Sequence, residues 1–295
     1  MNNFKPLWRK QLVFILLGLV VFGCAEKKEV VVFETPFGEM TAILYDETPI
    51  HKENFLKLAK SGQYNDVLFH RVIENFMIQT GDLSTGAAEK DANYRLDAEF
   101  RSPEYFHVKG SLAAARRGDE TNPKKESSGS QFYIVQGETY DEEGLKLRAK
   151  RRHFLKLYPL FQRAIKTDRA VELTEKWAYH TNKYQEDTTY DFGTAQEELI
   201  LNSQSTLEEL FGPLDDPGYN EEQKQVYATI GGAPHLDGEY TVFGKVVEGL
   251  DVIDKVAAQA TDDRDRPLEE IRLKVRVESM STAEYQSRYG KYLRK

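Results

Sequence analysis

Apolar and polar positions alternate over several short stretches of this chain, with the period of a half-buried strand. Residues 29–33 (EVVVF) and 40–45 (MTAILY) are two such strands, joined through the turn Thr35-Pro36-Phe37-Gly38. Thr48-Pro49 offers an N-cap followed by proline at the first helical position. Ile50, Phe55, Leu56, Leu58 and Ala59 give the next helix an apolar face, and Gly62 is its stop. Short strands are predicted over 67–73, 76–79, 111–115, 131–135 and 240–246. A helix over 250–259 carries Leu250, Ile253, Val256 and Ala257 on one face, and 271–277 (IRLKVRV) alternates apolar and basic residues. This order predicts a mainly β fold: a closed antiparallel barrel with helices over its ends.

The stretch from 138 to 225 has a different texture and is predicted as a helical insertion. A broken apolar face (Leu145, Leu147, Phe154, Leu155, Tyr158, Phe161) marks a helix over about 141–166, which Pro159 is expected to kink or divide. A second helix runs over 167–184 with Leu173 and Trp177. Asn220 caps a third, with Gln223 placed for a capping box, and Gly231-Gly232 ends it. Basic residues cluster early in the insertion and acidic residues late. That polarity fits two arms pairing opposite charges on a solvated surface, or a partner-binding arm. The tail over 279–295 fits either a short helix or a frayed end.

Composition narrows the setting. Of 295 residues, 40 are basic and 48 acidic, for a net charge of −8, which argues against a nucleic-acid partner. The single cysteine excludes an intrachain disulfide and a thiolate metal cluster. No histidine has a metal-ligand spacing, and no metal site is expected. Residues 12–22 (LVFILLGLVVF) follow Lys5, Arg9 and Lys10 and are too few to span a bilayer, which takes about 20 residues. They have the length of a signal-peptide core. The run ends in Val21-Phe22-Gly23-Cys24, which resembles the lipobox of bacterial lipoproteins. On that reading 1–23 is a signal peptide, Cys24 is lipidated and holds the chain to a membrane, and 24–29 is a tether. A generic signal peptide or an uncleaved anchor are the alternatives. Cys24→Ala is expected to make the protein extractable without detergent; membrane partitioning by the variant would sink the lipobox reading.

Three further segments carry chemistry. They are FHRVIENFMIQTGD over 69–82, GSLAAAR over 110–116 with GSQFYI over 129–134, and LDGEYTVFGKV over 236–246. Together and in this order they resemble the cyclophilin-type peptidyl-prolyl isomerases, over about 30–137 and 226–278. The resemblance implies an eight-stranded antiparallel barrel capped by two helices. It also implies cis/trans isomerisation of the bond preceding proline, without a cofactor.

The resemblance places catalytic roles on Arg71, Phe76, Gln79 and Gln131. Substrate contacts fall on Met77, Ala115, Arg116, Tyr133, His235, Leu236 and Tyr240. Strand alternation agrees, since it puts Met77 with Gln79 and Gln131 with Tyr133 on shared faces, and turns His70 and Phe132 away. Some positions depart from the family pattern. Tyr133 stands for the usual Phe, Arg116 for a frequent Asn and Tyr240 for a common His. His235 replaces the tryptophan of members that bind cyclosporin-class drugs, and Glu74-Asn75 replaces Pro-Gly.

The sequence therefore predicts a monomeric, lipid-anchored isomerase of a Gram-negative envelope, at the outer membrane, acting on proline-containing client polypeptides. The alternative is a peptide-binding chaperone in which isomerisation is incidental. The ends of the insertion are expected beside the substrate groove. Removing it is expected to spare turnover of a short peptide and weaken action on a protein.

Overall fold

The computed structural model describes residues 27–86, 94–214 and 218–293. Cys24 and the apolar run before it lie outside the described residues. The chain opens with the hairpin β1 (Lys27–Thr35) and β2 (Gly38–Leu44), followed by α1 (Pro49–Lys60). Seven short strands come next: β3 (Val67–Leu68), β4 (Arg71–Ile73), β5 (Met77–Thr80), β6 (Arg95–Leu96), β7 (Ser111–Ala114), β8 (Ser127–Ser128) and β9 (Phe132–Val135). Five helices interrupt the sheet: α2 (Glu142–Ala164), α3 (Val171–Glu186), α4 (Phe192–Leu201), α5 (Gln204–Phe211) and α6 (Glu221–Thr229). The chain then returns through β10 (Val242–Glu248), α7 (Leu250–Ala257) and β11 (Arg272–Ser281), and α8 (Thr282–Tyr289) follows.

Nine strands form one antiparallel sheet in the order β3-β11-β1-β2-β10-β7-β9-β5-β4. Register shifts in β10, between Val242 and Gly244 and between Val246 and Glu248, help bend it. The sheet curls without closing, because its end strands β3 and β4 are not paired with each other. The closed barrel expected from the element order is thus an open half-barrel. Nor is the fold purely mainly β, since 40% of it is helical. The insertion supplies most of that helix.

The inner face of the curl holds a dry core. Phe55 packs edge-on against Phe132 at 5.1 Å between ring centroids, with Phe33 and Tyr64 beside them. Helices α1 and α7 close this core with Phe55, Leu58, Val252, Ile253 and Val256. Thr48 does not cap α1 through its side chain. Instead Glu99 reaches in from a distant loop and accepts from the backbone N–H groups of Ile50 (3.2 Å) and His51 (3.0 Å). A carboxylate at a helix N-terminus also complements the helix dipole. No local pattern announces a cap supplied from 48 residues away.

The insertion has two parts. Its tip is a separate core of Leu157, Phe161, Leu173, Ile200 and Leu207, packed with Trp177. Its root is a smaller cluster in which Leu145, Tyr219 and Tyr227 pack on Phe106 and Val108 of the sheet domain. The two ends of the insertion cross there, with Glu138 and Val108 each bridging to Gly232. A Cβ on Gly232 would run into the carbonyl oxygen of His107, so only glycine permits this approach. Helix α2 runs unbroken through Pro159. Pro159 and Leu155 are both exposed, so the carbonyl that the proline leaves unpaired faces water. Asn220 and Gln223 form the capping box in both directions. Lys150 meets Glu197 at 2.7 Å, an exposed pair across the two arms of the kind that contributes little. Within the tail, Tyr285 and Tyr289 of α8 are buried against the sheet.

Candidate active site

The sheet's alternation puts Phe132, Ile134 and Ile78 into the inner core and turns Gln131, Tyr133, Met77 and Gln79 outward. A groove of about 630 Å³ lies on this outer face. Every substrate and catalytic position expected from the sequence lines it except His235. His235 stands on the rim, exposed, with its ring 5.1 Å from that of Phe76.

Arg71 begins β4, opposite Gln79 of β5. Its Nε donates to Asp265 at 3.2 Å. The same Asp265 gives its carbonyl to the N–H of Val72 at 2.7 Å, so one loop residue holds both the strand and the guanidinium. Asp265 has φ of 63°, a left-handed conformation that Asp tolerates better than most residues. Nothing in the motif around Arg71 points to it, and it lies 194 residues further along the chain.

The Gln79 amide nitrogen spends its two hydrogens on two acceptors, Gln131 Oε1 at 3.3 Å and His70 Nε2 at 3.2 Å. His70, expected to face away, therefore supports the site from the side. Burial lowers its pKa, against the pull of the Asp82 carboxylate, and keeps the accepting form in place.

The apolar cup is formed by Phe76, Met77, Leu236 and the ring of Tyr133. Met77, Tyr133 and Leu236 are buried and Phe76 is half-buried. Asn75 takes the left-handed turn (φ 63°) where a glycine would be the easy choice, and its N–H donates to Gln136 Oε1 at 2.6 Å. The change to Glu74-Asn75 thus keeps a tight turn ahead of Phe76.

The far wall is a charged clamp. The Arg116 guanidinium lies 4.5 Å from the centroid of Tyr240 and donates from Nε to the Glu239 carbonyl at 2.8 Å. It also meets the carboxylates of Glu239 (3.2 Å) and Asp119 (2.5 Å), and Lys125 joins Glu239. The Arg116 side chain is only 5% exposed and stacks on Tyr240. At Ala115 both backbone groups are occupied, the N–H by the Gln131 carbonyl (3.0 Å) and the carbonyl by the Ser128 N–H (2.8 Å).

A cleft this open, with a fixed cation, two amides and an apolar cup on one side of a curled sheet, suits an extended polypeptide better than an enclosed metabolite. The family model for cyclophilin type peptidyl-prolyl cis-trans isomerase/CLD matches residues 30–154 and 213–277, well over half of the chain, and the chain belongs to this family. It is a peptidyl-prolyl cis-trans isomerase. A Staphylococcus saprophyticus protein named as such an isomerase is 29% identical over 243 residues, covering 81% of this chain and 86% of that protein. One from Staphylococcus aureus, strain COL, is 26% identical over 244 residues, covering 82% and 87%. A crystal structure of a Cryptosporidium parvum cyclophilin, determined in the presence of the dipeptide Ala-Pro, is 19% identical. It covers 85% of this chain and 99% of that one with a TM-score of 0.47, and the family assignment does not rest on it.

These relatives overturn one expectation. The Staphylococcus species are Gram-positive and have neither periplasm nor outer membrane, so the Gram-negative outer-membrane location does not stand.

Proposed function

We propose that the groove isomerises prolyl bonds in polypeptides that are still folding, with Arg71 as the catalytic cation. The amide resists rotation because its C–N bond has partial double-bond character, with a barrier of ~18–20 kcal/mol. Twisting the bond breaks that resonance and returns the lone pair to nitrogen. A fixed positive charge directed at that nitrogen binds the twisted form better than either planar form, and so lowers the barrier. The observation that carries this reading is the position of Arg71: it lines the groove across β4–β5 from Gln79 and, among the described residues, is tied through Nε to Asp265. Gln79 and Gln131 orient the substrate backbone, while Phe76, Met77, Tyr133 and Leu236 seat the proline ring. A lipid on Cys24 is the proposed tether to a membrane surface.

Removing one electrostatic donor from such a site costs about 10²- to 10³-fold in rate. Arg71→Ala is expected to lose that much in catalysis of proline-limited refolding and of a short prolyl peptide. A variant within threefold of the parent protein would sink the assignment. The peptide-binding chaperone reading is favoured by one feature, the outward face of α2, where Leu147 is 66% and Leu155 55% exposed. On that reading the arm suppresses aggregation equally well with and without Arg71.

A further inference from the structure

Behind the groove wall runs a chain of buried polar groups. The Tyr133 hydroxyl lies 3.1 Å from His107 Nε2. His107 Nδ1 lies 3.0 Å from Asp237 Oδ1, which also accepts the His107 backbone N–H at 2.9 Å. The other carboxylate oxygen accepts from Tyr227 Oη at 2.7 Å and from Gln223 Nε2 at 3.2 Å. All five residues are buried, with His107 at 1% exposure and Tyr227 at 0%.

A carboxylate only accepts, so His107 Nδ1 donates to Asp237, and His107 Nε2 is left to pair with the Tyr133 hydroxyl. Burial raises the pKa of the Tyr133 and Tyr227 hydroxyls well above the usual range and keeps both protonated. Asp237 is thus a buried carboxylate that depends on its donors, because an ionised group out of water is costly unless it is hydrogen-bonded. Two of those donors come from α6, at the root of the insertion. Asp237 itself follows Leu236 of the proline cup, and the ring of Tyr133 stands edge-on to Tyr240 at 6.0 Å.

We propose that the insertion sets the groove wall through this relay: Tyr227 and Gln223 are positioning residues that fix the Tyr133 ring by way of Asp237 and His107. The proposal rests on the groove being the substrate site. Tyr133 differs from a phenylalanine there because its hydroxyl is anchored on the side away from the proline. The ring is then held at one angle to the cup rather than free to tilt. The anchor ends on a helix outside the sheet domain, so the root of the insertion acts as part of the active site.

The test is a double-mutant cycle on the full-length protein in detergent, with a prolyl tetrapeptide as substrate. Tyr227→Phe and Tyr133→Phe are each expected to raise KM about fivefold, a misplaced pocket wall, with kcat within twofold. The double variant is expected to be no worse than either single, because both break one chain. Gln223→Met, which keeps the shape and removes both this donor and the capping-box acceptor, should raise KM in the same direction. A purely structural role would lower Tm and leave KM of the folded enzyme unmoved, and that result, or effects that multiply, overturns the relay. Arg71→Ala run alongside separates the two claims. Turnover that survives Arg71→Ala overturns the groove assignment and the relay with it. An inactive Arg71→Ala together with an unchanged KM in Tyr227→Phe overturns the relay alone.

Discussion

The sheet domain and the insertion tip hold their residues in place by different means. In the sheet domain, two groove arginines and the start of α1 are fixed by partners far away in sequence: Arg71 by Asp265, Arg116 by Glu239, and α1 by Glu99. In the tip, contacts are between neighbouring helices, and Phe161, Leu173 and Leu207 form a core that no sheet residue enters. The root lies between these cases, helical in texture but packed and hydrogen-bonded to the sheet. Damage should therefore reach the active site from the root and stop short of it from the tip.

Three changes break or sharpen this contrast. The largest effect is expected from Gly232→Ala at the crossing of the two chain ends. The new methyl meets backbone rather than a yielding side chain, and a cost of about 3 kcal/mol is expected. Chemical denaturation would show it as a lower midpoint, and turnover should fall with it.

Acidification comes next. Burial holds the pKa of His70 below its ordinary 6.5, so above about that pH the ring is neutral in the folded and unfolded chain alike. Between 6.5 and the lower folded value the unfolded chain binds the proton first, and the folded state loses stability. His51 of α1, also lowered mainly by burial, adds to this loss. Once His70 itself titrates, Nε2 becomes a donor facing the Gln79 amide donor. A pH profile of kcat/KM should be flat from about 8 to 6.5 and decline several-fold towards 5. A His70→Gln variant that keeps the full decline would show that another group is responsible.

The smallest effect on turnover is expected from Leu207→Ala in the tip. It should destabilise the tip by about 2–5 kcal/mol, visible as faster amide exchange in α2 to α5. Tetrapeptide turnover should remain within twofold. A larger drop would mean that tip and groove are one unit. Cys24→Ala should change only extraction.

Much of the site was legible in the sequence because strand alternation and three ordered motifs carry it. Met77 with Gln79, and Gln131 with Tyr133, share faces as the period-2 pattern requires. What was not legible depends on distance along the chain. Asp265, Glu239 and His107 act through side chains whose partners lie up to 194 residues away, and no local period encodes such pairs. The open edge of the sheet was missed for a related reason, since element order is the same whether or not β3 and β4 meet. Helices α4 and α5 escaped because short helices offer too few apolar positions for a 3.6-residue period to show. Pro159 was overread as a break, because in an exposed turn of helix water takes the freed carbonyl.

The most direct test of the groove assignment observes isomerisation on the enzyme itself. A labelled prolyl tetrapeptide at saturating protein should show cis–trans exchange by NMR with the parent protein. With Arg71→Ala, binding should persist, read as shifts at Met77, Tyr133 and Leu236, while the exchange falls by about 10²-fold or more. Exchange that continues at the parent rate in the Arg71→Ala complex would contradict the account and remove Arg71 from the catalytic machinery.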